Sequence, residues 1–290
     1  MSINKINTVS VAEADKVNSV LASDIGSIAG ITFPSDFIFA IDTSLGDATS
    51  AFRLPLSGTV NFTVDWGDGN SDTITSDTDP AMDHTYASGG TYDIALNGTI
   101  GEWNTGTTTD RTKVTDVKQW GVNFTAGTFQ NFTNLTSDTA PGHPFVTSFA
   151  NFYGDCSNFD GDITNWDVSG VSLMNGTFNR ASVFNQDISS WDTSSVLSMS
   201  GMFNDAFAFN QNIGGWDISS LFSCTFMLTD SGMSIANYDA LLIGWAAQAP
   251  NIKSNVTLST GPQRTNASLA AYNTLTSSTY SWNISDGGLI

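Results

Sequence analysis

A tryptophan returns every 25 residues through the second half of this 290-residue chain, at Trp166, Trp191 and Trp216 (191 − 166 = 25; 216 − 191 = 25). A fixed interval of this size is the signature of a stacked repeat, whose units cannot bury their apolar faces alone and do so against their neighbours. Several columns carry the interval together. The segments opening at Phe159, Phe184 and Phe209 read FDGDITNWDVSGV, FNQDISSWDTSSV and FNQNIGGWDISSL. Ile163, Ile188 and Ile213 keep register, as do Val171, Val196 and Leu221, then Met174, Met199 and Cys224, then Phe178, Phe203 and Leu228. Upstream, Val146, Phe149, Tyr153 and Phe159 precede Val171, Met174, Phe178 and Phe184 by the same interval, and Pro141 stands where a further tryptophan would. The tryptophans form either a core ladder or an exposed aromatic platform. The ladder is the expectation, with Ile163, Trp166, Ile188, Trp191, Ile213 and Trp216 as its structural members.

The background between these columns is Asn, Asp, Ser and Gly, which suit tight corners because they tolerate left-handed backbone or bond their own backbone. The small Ala181 and Ala206, with Cys156 in the same column, suit a crowded interior corner. The stretch FNQDISSWDTSSVLSMSGMFNDAFAFNQ resembles the BspA-like repeats, a leucine-rich-repeat relative found as a domain of unknown function in mycoplasma, bacterial and phage surface proteins. The resemblance covers roughly residues 134–230. It implies a solenoid with one short strand per coil near Val171–Met174 and its equivalents, and adhesion or recognition in place of catalysis.

Charged residues make up only 13% of the chain, and polarity comes from Ser, Thr, Asn and Gly, a profile of turn-rich β proteins. The formal net charge is −19, so phosphate backbones are repelled and nucleic-acid binding is disfavoured. Between Lys118 and Lys253 the only basic side chain is Arg180, which leaves the repeats strongly acidic. Cys156 and Cys224 lie nearly three coils apart, and coils rise roughly 4.8 Å each, so two free thiols are expected. The N-terminus, MSINKINTVSVAEADKVNSV, lacks the basic start and apolar core of a secretory signal, and Ala240–Ala247 is too short to span a bilayer. Membrane insertion is not expected.

The first thirty residues carry a shorter repeat of 11: Ile6, Val17 and Ile28 align, and so do Val9, Val20 and Ile31 (17 − 6 = 11; 28 − 17 = 11). Their poor helix formers favour an extended arm that docks these six residues on another protein; a disordered tail is the alternative. The segment resembles N-terminal repeats of structural proteins from tailed phages. From residue 34 to 112 the pattern is strand-like over Phe37–Ile41, Thr59–Trp66, Asp72–Thr75 and Thr91–Leu96. Trp66-Gly67-Asp68-Gly69, with His84-Thr85-Tyr86 and Gly90-Thr91-Tyr92, resembles the PKD domain, which implies an immunoglobulin-like sandwich. There Trp66 packs inside and His84 bonds a nearby turn. Val114–Gly121 reads as the strand leading into the repeats, and Phe124–Leu135 as a first, irregular coil acting as a cap. Downstream, Ile235–Gln248 has helical spacing with Tyr238, Leu241, Leu242 and Trp245 on one face, and Asn266–Asn273 is a second short helical stretch. The expected architecture is mainly β: an arm (1–33), a PKD-like sandwich (34–112), a BspA-like solenoid (113–232) and a C-terminal cap with short helices (233–290).

No catalytic residue is expected. His84 and His143 fall in different segments, and no zinc spacing, phosphate loop or nucleophile elbow is present. Asp162, Asp167, Asp187, Asp192 and Asp217 recur with the repeat, which argues for corners, since a glycosidase pair is singular. No cofactor is expected; calcium at Asp65, Asp68, Asp72 and Asp83 is the one option left open. A surface-type chain without an export signal fits a non-enzymatic bacteriophage virion protein. Its arm would meet other virion proteins, its solenoid a host-surface glycan or protein, and its assembly would be a homo-oligomer such as a trimer. The alternatives are a bacterial cell-surface adhesin and a glycan-degrading enzyme.

Overall fold

The computed structural model describes residues 36–47, 49–103, 109–121, 124, 127–138 and 146–290. The arm with Ile6, Val9, Val17, Val20, Ile28 and Ile31 lies outside the described residues, as do Pro141 and His143. Strand is 25% and helix 13%, so the fold is mainly β with a small helical C-terminal part.

The strands are β1 (Phe37–Asp42), β2 (Ala51–Arg53), β3 (Leu56–Ser57), β4 (Asn61–Asp65), β5 (Ser71–Ile74), β6 (Asp83–Thr85), β7 (Thr91–Thr99), β8 (Glu102–Trp103), β9 (Val114–Gln119) and β10 (Ser137–Asp138). Helix α1 (Ile235–Ala246), β11 (Thr257–Gly261), α2 (Leu269–Thr276) and β12 (Asn283–Asp286) follow. A six-stranded sheet runs β10-β9-β1-β7-β4-β5, while β2–β6 and β3–β8 form small antiparallel pairs. The period-2 pattern explains the burial: in β4, Phe62 and Val64 point inward between exposed Asn61, Thr63 and Asp65. The small pairs pack on the large sheet through aromatic rings, Phe52 against Phe39 at 6.1 Å and Trp103 against Phe37 and Phe39 at 5.0 and 4.9 Å.

Strand β9 belongs to both halves of the structure. It pairs antiparallel with β1 and parallel with β10, and Thr136 N donates to Thr115 O at 3.0 Å as the first turn closes. At its end, Trp120 meets Trp166 edge-on at 6.0 Å, so an aromatic from the sheet borders the first tryptophan of the ladder.

Beyond β10, successive 25-residue segments lie directly on one another. Single parallel bridges join Ser148 to Leu173, Leu173 to Ser198 and Ser198 to Ser223, and Cys224 then bridges to Leu258 in β11. The backbone alternates partners as a parallel ladder should: Leu197 N donates to Ser172 O on one side (2.8 Å), and Met199 N to Ser223 O on the other (2.9 Å). Inside, the aromatic columns repeat with near-constant geometry. Phe159, Phe184 and Phe209 stack at 6.1 and 6.2 Å, and Phe178 stacks on Phe203 at 5.7 Å. Tyr153 occupies the same column because its hydroxyl reaches the buried Asp138 carboxylate of β10 at 2.8 Å.

The tryptophans are core residues, 7%, 4% and 0% exposed at Trp166, Trp191 and Trp216, which excludes the platform alternative. Two of these indoles also reach across coils: Trp191 Nε1 donates to Ile163 O at 3.2 Å and Trp216 Nε1 to Ile188 O at 3.0 Å. The next donor comes from helix α1, where Trp245 Nε1 reaches Ile213 O at 3.3 Å.

Helix α1 thus ends the array by copying it. Ser234 caps the helix, its Oγ accepting from Asn237 N. Tyr238, Leu241, Leu242 and Trp245 are fully buried on the expected face. Gln211 Nε2 reaches Asn185 O from one coil to the previous, and Asn237 Nδ2 makes the same reach to Asn210 O at 2.7 Å. Gly244 permits the close approach, since a Cβ there would fall 2.1 Å from Gly214 O. Asp239, 7% exposed, accepts from Thr265 N (3.0 Å) and from the Thr265 and Ser268 hydroxyls, fixing the turn that starts α2.

Replacing Trp191 by Phe removes one indole donor and leaves the buried Ile163 carbonyl short of it. We expect a loss of about 2–3 kcal/mol, read as a lower melting temperature by circular dichroism. An unchanged melt would show that the cross-coil bond does not hold the stack.

Candidate binding face

Each coil presents one short outward strip beside its bridge residue: residues 147–151, 172–176, 197–201 and 222–226. Their sequences are TSFAN, SLMNG, LSMSG and FSCTF, with no charged side chain among them. Phe149, Met174, Met199 and Cys224 point inward. The outer positions carry hydroxyls and an amide that bond one another across coils. Ser198 Oγ bonds Asn175 Oδ1, Ser200 N donates to the same oxygen at 3.2 Å, and Ser200 Oγ and Ser223 Oγ lie 2.7 Å apart. Large apolar side chains stand out of this polar surface: Leu173, Leu197, Phe222 and Phe226 are 36%, 40%, 61% and 57% exposed. Lys253 lies over the Phe222 ring, 5.6 Å from its centroid.

The acidic residues occupy other corners and are engaged there. Asp162 accepts from Thr164 N (3.1 Å), Asp167 from Ser169 N (3.1 Å), Asp187 from Ser189 N (3.1 Å), Asp192 from Ser194 N (3.1 Å) and Asp217 from Ser219 N (2.8 Å). These turns are the recurring corners expected from the sequence. The Thr164 hydroxyl and amide hold the Asp162 carboxyl below its usual value, and those of Ser189 do the same for Asp187. Such groups stay ionised, the opposite of what a general acid at neutral pH needs. A second corner carries Asp155, Arg180, Asp205 and Asp230 in left-handed backbone, with Arg180 set between Asp155 (3.3 Å) and Asp205 (3.6 Å).

Each carboxylate considered for calcium bonds a different partner. Asp65 accepts from Gly67 N (2.9 Å), Asp72 from the Trp66 indole (2.8 Å), and Asp83 pairs with Arg53 (2.5 Å). Asp68 receives Asn70 N (3.0 Å) and faces His84 Nε2 (2.9 Å), whose ring stacks on Trp66 at 4.7 Å. Burial works to raise the Asp68 carboxyl, but the bonds from His84 and Asn70 outweigh it and hold it low. His84 therefore bonds the Asp68–Gly69 turn, as expected. Among the described residues, no group of three or more His, Cys, Asp or Glu is placed to hold a metal ion. Both cysteines are free and buried, and burial pushes both thiols up, away from reactivity.

Sequence reasoning missed Lys113. It is 0% exposed, paired with Asp47 at 2.7 Å and Asp110 at 2.9 Å, and donates to Ala51 O at 2.6 Å. Its hydrogen bond and that of Thr49 bring the Asp47 carboxyl down to about 2. Burial disfavours the Lys113 ammonium, yet the two carboxylates keep its pKa above the ordinary value. Asp110 stands only three residues before it, an ordinary surface spacing; the burial comes from the distant stretch that carries Asp47, Thr49 and Ala51, which nothing around Lys113 announces.

Asp47, Asp68, Asp162, Asp187 and Asp239 all sit below the ordinary carboxylate value. A carboxyl lowered by folding stabilises the fold above its unfolded value of about 4, and that stability disappears as pH falls through the lowered value. Thermal melts should be flat from neutral pH to about 5 and drop steeply between about 4 and 2. A melt unchanged at the acid end would contradict the pairings.

No helix among the described residues is long and apolar enough to cross a membrane. Neither curated proteins nor solved structures give a match to this chain. Residues 123–240, the coils and the start of helix α1, match the family model described as Mycoplasma protein of unknown function, DUF285, a family of BspA-like surface repeats.

Proposed function

We propose that this chain is a non-enzymatic surface protein of a bacteriophage virion, a tail appendage or capsid decoration, that recognises or adheres to the host surface. The observation that carries the reading is the match of residues 123–240 to a surface-repeat family, on coils whose inward residues all serve packing. In this reading the parts are a virion-docking arm (1–33) using Ile6, Val9, Val17, Val20, Ile28 and Ile31, and a PKD-like sandwich (34–112). A BspA-like leucine-rich-repeat solenoid (113–232) and its cap (233–290) follow. The 11-residue period of the arm supports a docking role, because its apolar positions recur on a segment too short to bury them alone. The partners are other virion proteins at the arm and a host glycan or protein at the coils. A symmetric homo-oligomer, such as a trimer, suits a virion appendage.

The mycoplasma description of the matched family favours a second reading, a bacterial cell-surface adhesin. Gold-labelled antibody to the coils should decorate purified particles in electron micrographs; label confined to the envelopes of uninfected cells would select the adhesin. Deleting residues 2–31 should abolish incorporation into particles while leaving the thermal melt of the remainder unchanged. Full incorporation of the shortened chain would remove the arm from the proposal.

A further inference from the structure

We propose that the charge-free strip face of the coils binds an uncharged polysaccharide, with Phe222 and Phe226 as its stacking residues. The inference rests on the surface-recognition reading and names the ligand class for it. It begins from charge. The chain carries a net −19, yet residues 147–151, 172–176, 197–201 and 222–226 contain no charged side chain.

Stacking does not by itself forbid charge at a repeated position, since Asp167, Asp192 and Asp217 recur one coil apart, each held by its own turn. The neutral face therefore needs another reason. Strips without charge, on a protein with this field, give a cationic ligand no local partner, and the Lys253 ammonium over the Phe222 ring leaves the long-range field one that repels anionic polymers. Such a face suits a ligand that is neutral and rich in hydroxyls.

The polar groups on the face match that ligand. Hydroxyls of Ser198, Ser200, Ser223 and Thr225 and the amide of Asn175 form a chain that donates and accepts, as sugar hydroxyls do. The exposed rings supply the second element of sugar recognition, an aromatic surface for the apolar C–H face of a pyranose. In the Phe222 column the first two coils carry small hydroxyl residues, Thr147 and Ser172, and the last two carry large apolar ones, Leu197 and Phe222.

Phe226 is the most informative member. Its φ of +57 is left-handed, a conformation that is an outlier for a bulky residue. The same position in earlier coils is Asn151, Gly176 and Gly201, at φ +54, +60 and +64, residues that accept it. At Phe226 the chain keeps the turn, installs a ring that strains it, and leaves that ring 57% exposed. The backbone of the strained turn is held by Phe226 N donating to Ser259 Oγ at 2.9 Å, while the ring itself is left mostly in solvent, which is the pattern of a residue kept for contact.

The test is affinity electrophoresis of the full chain through gels containing dextran, yeast mannan, a soluble β-glucan or, as the anionic comparator, alginate. At least one neutral polymer should slow the chain, and alginate should not. Phe226→Gly should weaken that retardation by about tenfold or more while melting no lower than the parent, because it restores the glycine of the two preceding coils. Phe222→Ala should weaken it similarly. Retardation by alginate alone, by none of the polymers, or to an equal degree in Phe226→Gly would overturn the inference. Sedimentation with intact host cells separates the two levels. Cell binding shared equally by parent and Phe226→Gly defeats the polysaccharide face and leaves recognition standing. Absence of binding by the parent defeats both.

Discussion

Each coil of this protein completes the hydrogen bonding of the coil beside it, and the rest of the structure follows from that dependence. Backbone donors reach the equivalent residues of the next segment, and the buried indoles of Trp191 and Trp216 reach the isoleucine carbonyls of the previous one. A single segment would leave these groups and its apolar columns exposed to water, so no coil is stable alone. The two ends are then the weak points, and both are closed by different means. At the start, the six-stranded sheet supplies β9, β10 and Trp120 as the floor. At the finish, helix α1 offers Trp245 and Asn237 where a further coil would offer Trp and Gln, and β11 continues the bridge column.

The closure at the start explains why sheet and coils share one apolar core. Phe124, Phe129, Trp120 and Phe152 form a run of ring contacts from the sheet into the second coil. Function in the proposed reading lies on the outer strip face of the coils. The acidic corners, engaged in their own turns, supply solubility and long-range repulsion of anions.

Much of this was legible in the residues. The ladder of Ile163, Trp166, Ile188, Trp191, Ile213 and Trp216 is buried as its period required, and the helix with Tyr238, Leu241, Leu242 and Trp245 on one face forms where the spacing placed it. What stayed hidden has a common cause. Trp245 as the last rung, Trp120 beneath the first, and Lys113 against Asp47 and Ala51 involve partners brought together by the path of the chain, with no interval in sequence to announce them. The neutrality of the strip face was in the sequence throughout. It could be noticed only once the strips were known to lie side by side.

The sequence by itself determined the period, the inward columns and the corner residues, because those depend on local backbone preference and on apolar groups recurring at a fixed interval. Tertiary structure decided how the ends are sealed, that β9 serves sheet and coils alike, and that Phe226 holds a glycine's conformation in full view of solvent. Those outcomes depend on which distant segments meet, and a one-dimensional pattern carries that information only where it repeats.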